Sequence, residues 1–212
     1  MSSIQVQDSD ETRVRAAGMI AAGGVIAFRT DTFYGLGADP FNREALRRVN
    51  ALKGREGNKP LLVVISDEDE AERFLINKSK LFGLVSGRHW PGALTVVVRA
   101  KPEVPNELTA ASGTIGLRLP RDENVRSFIR ACGGALTATS ANLAGEPPAR
   151  TAIEVLRSFP SGLDMIVDGG ASQGESPSTV LDISGPHPRL IREGAVSLNR
   201  LRETLRELGE EI

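Results

Sequence analysis

Residues 53–61, KGREGNKPL, combine cations and glycines in a way that suits phosphate binding. They do not form a Walker A loop, which has the pattern G-x-x-x-x-G-K-[ST] between a strand and a helix. Here a proline follows Lys59, the loop has no hydroxyl side chain to hold a metal ion, and the apolar run 61–65 comes after it. We therefore expect side chains to hold the phosphate, with Lys53 and Arg55 pointing the same way from an extended segment.

Arg118 is a second cation whose surroundings can be predicted. It alternates with Leu117 and Leu119 in an apolar strand pattern, so its side chain should face the opposite side of the sheet. An arginine on the inner side of a sheet needs an anionic partner. The sequence leaves two partners open: a structural Asp or Glu, and a carboxylate ligand bound bidentately.

Three polar segments punctuated by glycine flank predicted strands: FRTDTFYGLGADPF at 28–41, TATSANLAGEPPA at 137–149 and DGGASQGESPSTVLDI at 168–183. Each is also typical of a capped turn or a loop. Ser140 lacks the G-x-S-x-G elbow of a hydrolase nucleophile. Because open α/β sheets bind ligands at strand ends, these segments and the nearby cations predict a large positively charged cavity for a small polyanionic ligand.

Short strands and helices must position these side chains. Apolar runs predict strands at 25–28, 61–65, 94–98, 115–119, 135–138, 165–167, 179–183 and 189–191. Periodicity and capping residues predict helices at 11–22, after Asn42, beginning at 67–72, and at 123–132, 151–159 and 198–208. Successive strands after residue 164 favour a mixed sheet. We expect an α/β fold, a single domain over residues 1–212 with one twisted mixed β-sheet flanked by helices, a frayed segment 1–10 and a C-terminal helix within 197–212.

The bulk composition narrows the function. The chain of 212 residues has a formal net charge of −1, so no global basic field indicates a nucleic-acid binder. One cysteine and two histidines indicate neither a disulfide framework nor a zinc site, and we expect no metal ion held by the protein itself. No apolar run has the length of a membrane span or the pattern of a signal peptide, so we expect a cytoplasmic protein without a membrane partner.

Short motifs follow one another in a fixed order along the chain. They are T-D-T-F-Y-G-L-G at 30–37, K-x-R at 53–55 with K-P-L at 59–61, W-P-G-A-L-T at 90–95, G-L-R-L-P at 116–120, T-S-A-N at 139–142, S-T-V at 178–180 and R-E-G at 192–194. From about residue 16 to residue 197, the ordered set resembles the YrdC-like L-threonylcarbamoyladenylate synthases in their short single-domain form. The resemblance implies the YrdC-like α/β fold with its large positively charged cavity.

The resemblance also implies a reaction. These nucleotidyltransferases condense L-threonine, bicarbonate and ATP, with Mg²⁺ accompanying the ATP, to threonylcarbamoyl-AMP and pyrophosphate. A separate threonylcarbamoyl transferase complex, which we expect as a partner, places the group on an adenosine beside the tRNA anticodon. Direct contact of this chain with tRNA is therefore expected to be absent or weak.

Roles for individual residues follow from the same resemblance. The signature tetrad, expected to be catalytic, matches Lys53, Arg55, Ser140 and Asn142. The ATP-binding positions match Arg55, Lys59, Thr114, Ser140, Pro148 and Arg192. The L-threonine positions match Thr32, Arg118, Ala138 and Ser178.

Three residues depart from the pattern that this resemblance implies. Arg29 stands where many members have proline, Lys59 where some have asparagine, and Val64 where one branch has a histidine that touches threonine. We expect Arg29 to alter only the strand exit and Lys59 to tighten the phosphate contact. Val64 cannot make the histidine contact.

Two other functions remain open on the sequence alone. One is an RNA-binding module that uses the basic concavity, which would bind RNA in a strongly salt-dependent way. The other is a carbamoyl-adenylating domain that acts on a different carbamoyl donor. Thr32 and Arg118 favour the amino acid substrate over that donor.

Overall fold

The structure of the chain is a computed structural model that describes residues 2–54 and 60–212. Its strands are β1 (Gln5–Gln7), β2 (Ile26–Arg29), β3 (Tyr34–Gly37), β4 (Leu62–Ile65), β5 (Leu94–Arg99), β6 (Thr114–Arg118), β7 (Ala135–Thr137), β8 (Thr139–Ser140), β9 (Met165–Asp168), β10 (Thr179–Asp182) and β11 (Arg189–Arg192). Its helices are α1 (Asp10–Ala21), α2 (Arg43–Leu52), α3 (Lys80–His89), α4 (Asn106–Thr109), α5 (Glu123–Ala131), α6 (Ala152–Ser158) and α7 (Leu198–Arg206), with a 3-10 helix at Glu68–Arg73. None of the helices described here has the length and apolarity needed to cross a bilayer.

The strands form two sheets, where one was expected. The first has the order β1-β9-β2-β3-β8 and the second the order β11-β10-β5-β6-β4-β7. Both are mixed, as predicted, since β2 pairs with β9 in parallel and with β3 antiparallel, and β5 pairs with β10 in parallel and with β6 antiparallel. The α/β fold is confirmed. The number of sheets was wrong because an apolar run identifies a strand without identifying the strand that pairs with it.

The six-stranded sheet has one covered face and one partly open face. Val96 pairs with Leu117, and both side chains are fully buried in the main core. Leu62, Val97 and Val180 lie on the other face, because side chains alternate along a strand, and all three are only half-buried. The partly open face therefore forms a floor on which a ligand can lie.

Residues 5–7, within the segment 1–10 that the sequence predicts to be frayed, form strand β1. β1 pairs in parallel with β9 at the edge of the five-stranded sheet. Gln5 Nε2 also donates to Asp168 Oδ2 at 2.9 Å, and Ser9 caps α1. An edge strand has only one neighbour and exposes much of its surface, so its polar sequence gives little of the apolar signal by which buried strands are identified.

Helix α2 carries Lys53 to the sheets. Its N-cap Asn42 accepts hydrogen bonds from two N–H groups of the first turn, both at 3.1 Å, as the sequence predicts. Lys53 is the C-cap of the helix, with φ −76° and ψ −5°, so it does not have the extended conformation that we expected. Arg55 and Lys59 lie outside the described residues, and their predicted orientation is not tested.

The thiol of Cys132 gives a first testable prediction. It is buried beside α1, and burial, reinforced by the charge of Asp8, raises its pKa to about 12. Only the thiolate attacks iodoacetamide, so at pH 8 we expect the folded protein to be alkylated at least about a hundredfold more slowly than the protein in urea. Mass spectrometry of the two time courses measures this, and equal rates would contradict the buried placement.

Candidate active site

Arg118 lies at the end of β6 and is buried, on the side of the strand opposite to Leu117, as predicted. It forms an ion pair with Asp31 through Nη2. Its Nη1 donates to Thr32 Oγ1 at 2.9 Å and its Nε donates to the carbonyl of Gly92 at 3.1 Å. Of the two partners that the sequence left open, the structure supplies the structural carboxylate.

The guanidinium of Arg118 keeps capacity for a ligand beyond these contacts. Arginine has five N–H donors, and the contacts to Asp31, Thr32 and Gly92 use three of them, so two remain within the part of the chain that the structure describes. Burial lowers the pKa of Arg118, whereas the charge of Asp31 raises it, and arginine stays protonated at neutral pH. A second carboxylate, supplied by a ligand, would meet a desolvated and oriented cation.

Ser178 and Arg192 meet at the neighbouring strand ends. Arg192 Nη2 donates to the Ser178 carbonyl at 2.8 Å, and the hydroxyls of Ser178 and Thr95 are 2.9 Å apart. Partial desolvation lowers the pKa of Arg192, and the positive charge of Arg118 lowers it further. Arg192 pairs with Val180, which pairs with Thr95 on β5. The predicted threonine residue Ser178 and the predicted ATP residue Arg192 are thus brought together, and Thr95 is a member of this cluster that the sequence did not indicate.

Ala138 completes the predicted threonine set beside β4. Its N–H donates to the carbonyl of Leu62 at 2.9 Å, and Val64, two positions further along β4, pairs with Arg118. Thr114 lies at the other end of β6, four residues before Arg118, which corresponds to about 13 Å along a strand. The predicted ATP and threonine positions therefore span the length of the open floor.

Lys53 is buried and holds the loop that carries Ser140 and Asn142. Its Nζ donates to the Ser140 carbonyl at 2.6 Å, to Asn142 Oδ1 at 3.0 Å and to the Asn142 carbonyl. The Asn142 side chain in turn donates to the carbonyl of Leu143 at 3.0 Å. Three of the four tetrad residues are brought together, and the fourth, Arg55, lies outside the described residues.

The remaining predicted ATP positions border strand β3. Ser140 pairs with Gly35, and the hydroxyl of Ser140 makes no hydrogen bond within residues 2–54 and 60–212. Pro148 is half-buried and precedes Ala149, whose carbonyl accepts the N–H of Tyr34 at 2.9 Å. Ser140 and Pro148 therefore lie on segments that both contact the same short strand.

The segment 169–178 packs against the loop that carries Thr32. Ser172 is buried, its Oγ donates to the Thr30 carbonyl at 3.2 Å, and its N–H donates to the Arg150 carbonyl at 2.8 Å. Arg150 Nη2 donates to the carbonyl of Gly174 at 2.9 Å. These hydrogen bonds fix the segment 169–178 against the loop that carries Thr32.

Tyr34 fixes the first residues of that segment, which gives a second prediction. Its buried hydroxyl donates to the Gly170 carbonyl at 2.8 Å and accepts the Gly169 N–H at 3.2 Å, and burial together with Asp168 raises its pKa. Tyr34→Phe leaves both groups without their partner, so we expect the free energy of unfolding to fall by about 1–3 kcal/mol. Urea unfolding measures this loss, and hydrogen exchange should accelerate in 169–178 before it does in α5. Unchanged stability together with unchanged exchange would contradict the anchoring role.

Within the described residues, no group of three or more His, Cys, Asp and Glu side chains lies together in a way that suits a metal ion.

Comparison with known proteins places this geometry in a family. The Sua5/YciO/YrdC family model, described as telomere recombination, matches residues 18–194. The chain belongs to the Sua5/YciO/YrdC family. The family resemblance that the motifs indicated is thereby confirmed.

Several relatives of this Sua5/YciO/YrdC chain carry the name threonylcarbamoyl-AMP synthase. It is 32% identical over 200 residues to threonylcarbamoyl-AMP synthase of Pyrococcus abyssi, covering 94% of this chain and 59% of the relative. It is 31% identical to threonylcarbamoyl-AMP synthase of Bacillus subtilis, covering 95% of this chain and 58% of the relative. The chain thus spans under two thirds of the length of these two relatives. It is also 32% identical to a putative threonylcarbamoyl-AMP synthase of Mycobacterium tuberculosis, covering 91% and 88% of the two chains.

Solved structures of Sua5/YciO/YrdC proteins share the fold. The structure of P. abyssi Sua5 complexed with L-threonine superposes with a TM-score of 0.90 at 30% identity, covering 99% of this chain and 62% of that one. The structure of Escherichia coli YciO superposes with a TM-score of 0.82 at 24% identity, covering 94% and 99% of the two chains, and shows the fold alone.

Three residues of this Sua5/YciO/YrdC chain depart from the expected pattern, and the structure bears differently on what was expected of each. Arg29 does more than alter the strand exit, because its Nη2 forms an ion pair with Asp122 Oδ2 at 2.5 Å. Val64 is fully buried beside Arg118, and Lys59 lies outside the described residues. The sequence did not predict the partner of Arg29, since Asp122 lies 93 residues away along the chain.

Proposed function

We propose that this chain is a threonylcarbamoyl-AMP synthase that uses L-threonine, bicarbonate and ATP. One observation carries the proposal: the Arg118–Thr32 and Arg192–Ser178 contacts lie at neighbouring strand ends of the open floor. The names of the relatives and the solved complex of P. abyssi Sua5 with L-threonine support it.

L-Threonine would bind at the Arg118 end of the floor. Its carboxylate would take the two N–H groups of Arg118 that the protein leaves available, a charge-assisted contact. Thr32, Ser178 and Ala138 would surround the rest of the amino acid. With its carboxylate held by Arg118, the amino acid would keep its amine available for the reaction.

The first chemical step would form a carbamate. The threonine amine attacks the carbon of bicarbonate, a water molecule leaves, and a nitrogen-bound carboxylate remains. Carbamates decompose in water, so the packed segment 169–178 would help by excluding solvent from the Thr32 side of the site.

The second step would transfer the adenylyl group. A carbamate oxygen attacks the α-phosphorus of MgATP, and the bond between the α-phosphorus and the bridging oxygen to the β-phosphate breaks. Pyrophosphate leaves and takes the negative charge that develops on that oxygen. Arg55, Lys59 and Arg192 would neutralise that charge, while the Ser140–Asn142 loop, held by Lys53, would orient the nucleotide with Thr114 and Pro148. Holding the reactants in line contributes up to about 7–11 kcal/mol in well-oriented systems.

The product would be consumed by a separate cytoplasmic transferase complex that modifies tRNA. Threonylcarbamoyl-AMP is a mixed anhydride, so it carries an activated acyl group suited to transfer to an adenosine amine. On this proposal tRNA meets the transferase and touches this chain indirectly or weakly.

The test is release of pyrophosphate from MgATP by the purified chain. We expect release that requires both L-threonine and bicarbonate, with the adenylate detected by mass spectrometry. Release with carbamoyl phosphate in place of threonine and bicarbonate would assign the chain to the alternative carbamoyl donor. Salt-sensitive RNA binding without pyrophosphate release would favour the RNA-binding alternative.

A further inference from the structure

A cavity of about 570 Å³ lies beside the proposed threonine site, since Asp31 and Gly92, which contact Arg118, are part of its lining. Its walls come from the end of β2, the end of α3, the loop after β6 and the start of α7. Its charged and amide side chains are Arg29, Arg88, Arg121, Arg200, Asp31 and Gln173, together with Asp122. We call it the basic cavity. Arg118, Ser178 and Arg192 themselves are not among its lining residues, so its own charged side chains are a different set from those of the floor.

The carboxylates of the basic cavity are already engaged. Asp31 forms the ion pair with Arg118, and its Oδ2 accepts the Arg121 N–H at 3.1 Å. Asp122 forms the ion pair with Arg29. Neither carboxylate is therefore available to neutralise the other arginine side chains.

Two arginines of the basic cavity keep uncompensated charge. Arg88 pairs with Glu207, whose carboxylate is outside the lining. Arg121 and Arg200 have no carboxylate within 4 Å among residues 2–54 and 60–212. In a protein whose formal net charge is −1, this places two unpaired guanidinium groups in one concave site.

His89 lies in the positive potential of the cavity arginines. Its Nε2 is 2.9 Å from Thr204 Oγ1, which fixes the ring in the cavity wall. Its pKa is lowered by burial and then by the charges of Arg200 and Arg88. The acidic groups of the cavity, Asp31 and Asp122, do not reverse this effect. His89 therefore adds no positive charge at neutral pH, and the arginines alone make the cavity basic.

We propose that the basic cavity binds a small anion that carries two or more phosphate charges, with Arg121 and Arg200 as its principal ligands. The volume lies in the range of small-molecule sites, which are typically about 300–1,000 Å³. Guanidinium groups match phosphate oxygens in geometry and charge. A concave site of this size suits a free phosphorylated molecule better than a polynucleotide, whose backbone is read along an extended groove.

The occupant would also be linked to the threonine site. The two oxygens of Asp31 join Arg118, on the floor, to the backbone of Arg121, on the cavity wall. An anion bound to Arg121 is therefore separated from Arg118, the proposed threonine ligand, by Asp31 alone. The binding itself rests on the cavity geometry and does not require the proposed enzyme activity.

The experiment is calorimetric titration of the whole chain with inorganic pyrophosphate, without metal. We expect Arg121→Gln and Arg200→Gln each to raise the dissociation constant of the cavity site by about tenfold, because each removes one charge-assisted contact. Arg206→Gln is the matched control, since Arg206 is exposed and lies on α7 like Arg200, but it is outside the lining of the cavity. It should leave binding unchanged.

Other results overturn the proposal. Pyrophosphate binding that is lost in Arg192→Gln but kept in Arg121→Gln and Arg200→Gln would place the anion on the floor. The absence of any binding at millimolar pyrophosphate would leave the basic cavity without a phosphate ligand. Single-stranded RNA that displaces pyrophosphate and binds more tightly would identify a polynucleotide surface instead.

Discussion

Lys53→Ala is expected to lower the turnover of pyrophosphate release by roughly a hundredfold, the order found when one preorganised polar group is removed from an active site. The buried ammonium of Lys53 holds the carbonyls of Ser140 and Asn142 and the amide oxygen of Asn142. Its removal frees the loop that would orient the nucleotide. It also leaves buried oxygens without a donor, so the free energy of unfolding should fall by about 3 kcal/mol.

The loss of activity must be separated from the loss of stability. Turnover is measured at a temperature where circular dichroism shows the variant fully folded. Lys80→Ala is the matched control, because Lys80 is an exposed lysine at the start of α3. The control should match the unchanged protein in both measurements. Wild-type turnover in folded Lys53→Ala would show that the Ser140–Asn142 loop does not need its lysine.

Arg118→Lys is expected to raise the KM for L-threonine by about a hundredfold, since truncating one partner of a buried charge pair costs about 2–5 kcal/mol. Lysine keeps the charge but cannot reproduce the planar fork that contacts Asp31, Thr32 and Gly92 together. The KM for ATP should change by less than about threefold. Thr114 lies at the other end of β6, and Arg192, the predicted nucleotide residue near Arg118, is held by Ser178 and not by Arg118.

The ratio of the two KM changes is the decisive measurement. Arg157→Lys, at an exposed position on α6, is the matched control and should change neither constant. Asp31→Asn removes the charge that orients Arg118, so it should raise the threonine KM in the same direction by a smaller factor. Equal increases in both KM values for Arg118→Lys would contradict a threonine carboxylate at Arg118.

Local patterns were sufficient to predict most of the strands. The apolar runs 61–65 and 94–98 became β4 and β5 with bounds shifted by one residue at most. Alternation correctly placed Arg118 opposite to Leu117. These features depend on whether one face or both faces of a strand are buried, and that burial determines the order of apolar residues in the sequence.

Strand β3 shows what local patterns do not contain. Its glycines were expected to allow a turn and a close approach of the backbone. They lie in a strand and not in a turn, and Gly37 lies against the ring of Phe28, where a Cβ atom would come within 2.8 Å of it. A Cβ at Gly35 would lie 3.4 Å from Ala138, which is an ordinary van der Waals distance. Glycine is needed at Gly37 because the ring of Phe28 on the paired strand lies so close, and the sequence does not state which strands pair.

The site was predictable in its residue types and less so in its contacts. Asp31 and Arg118 are 87 residues apart, so no spacing rule joins them. Lys53 was expected to reach a phosphate from an extended loop, and it is instead a buried helix C-cap that binds backbone carbonyls. Charged residues are rarely buried unless paired, so the residues around Lys53 in the sequence predict an exposed lysine.

The strand order of the six-stranded sheet also determines at which stage of folding the site forms. β4 lies between β6 and β7, and β10, from residues 179–182, lies between β5 and β11. A chain emerging from the ribosome therefore lacks one side of its floor until β11 has left the exit tunnel. Such non-local pairing is typical of slow folding. Ligand capture should consequently appear as a late, all-or-none event in refolding, after most helical signal has returned.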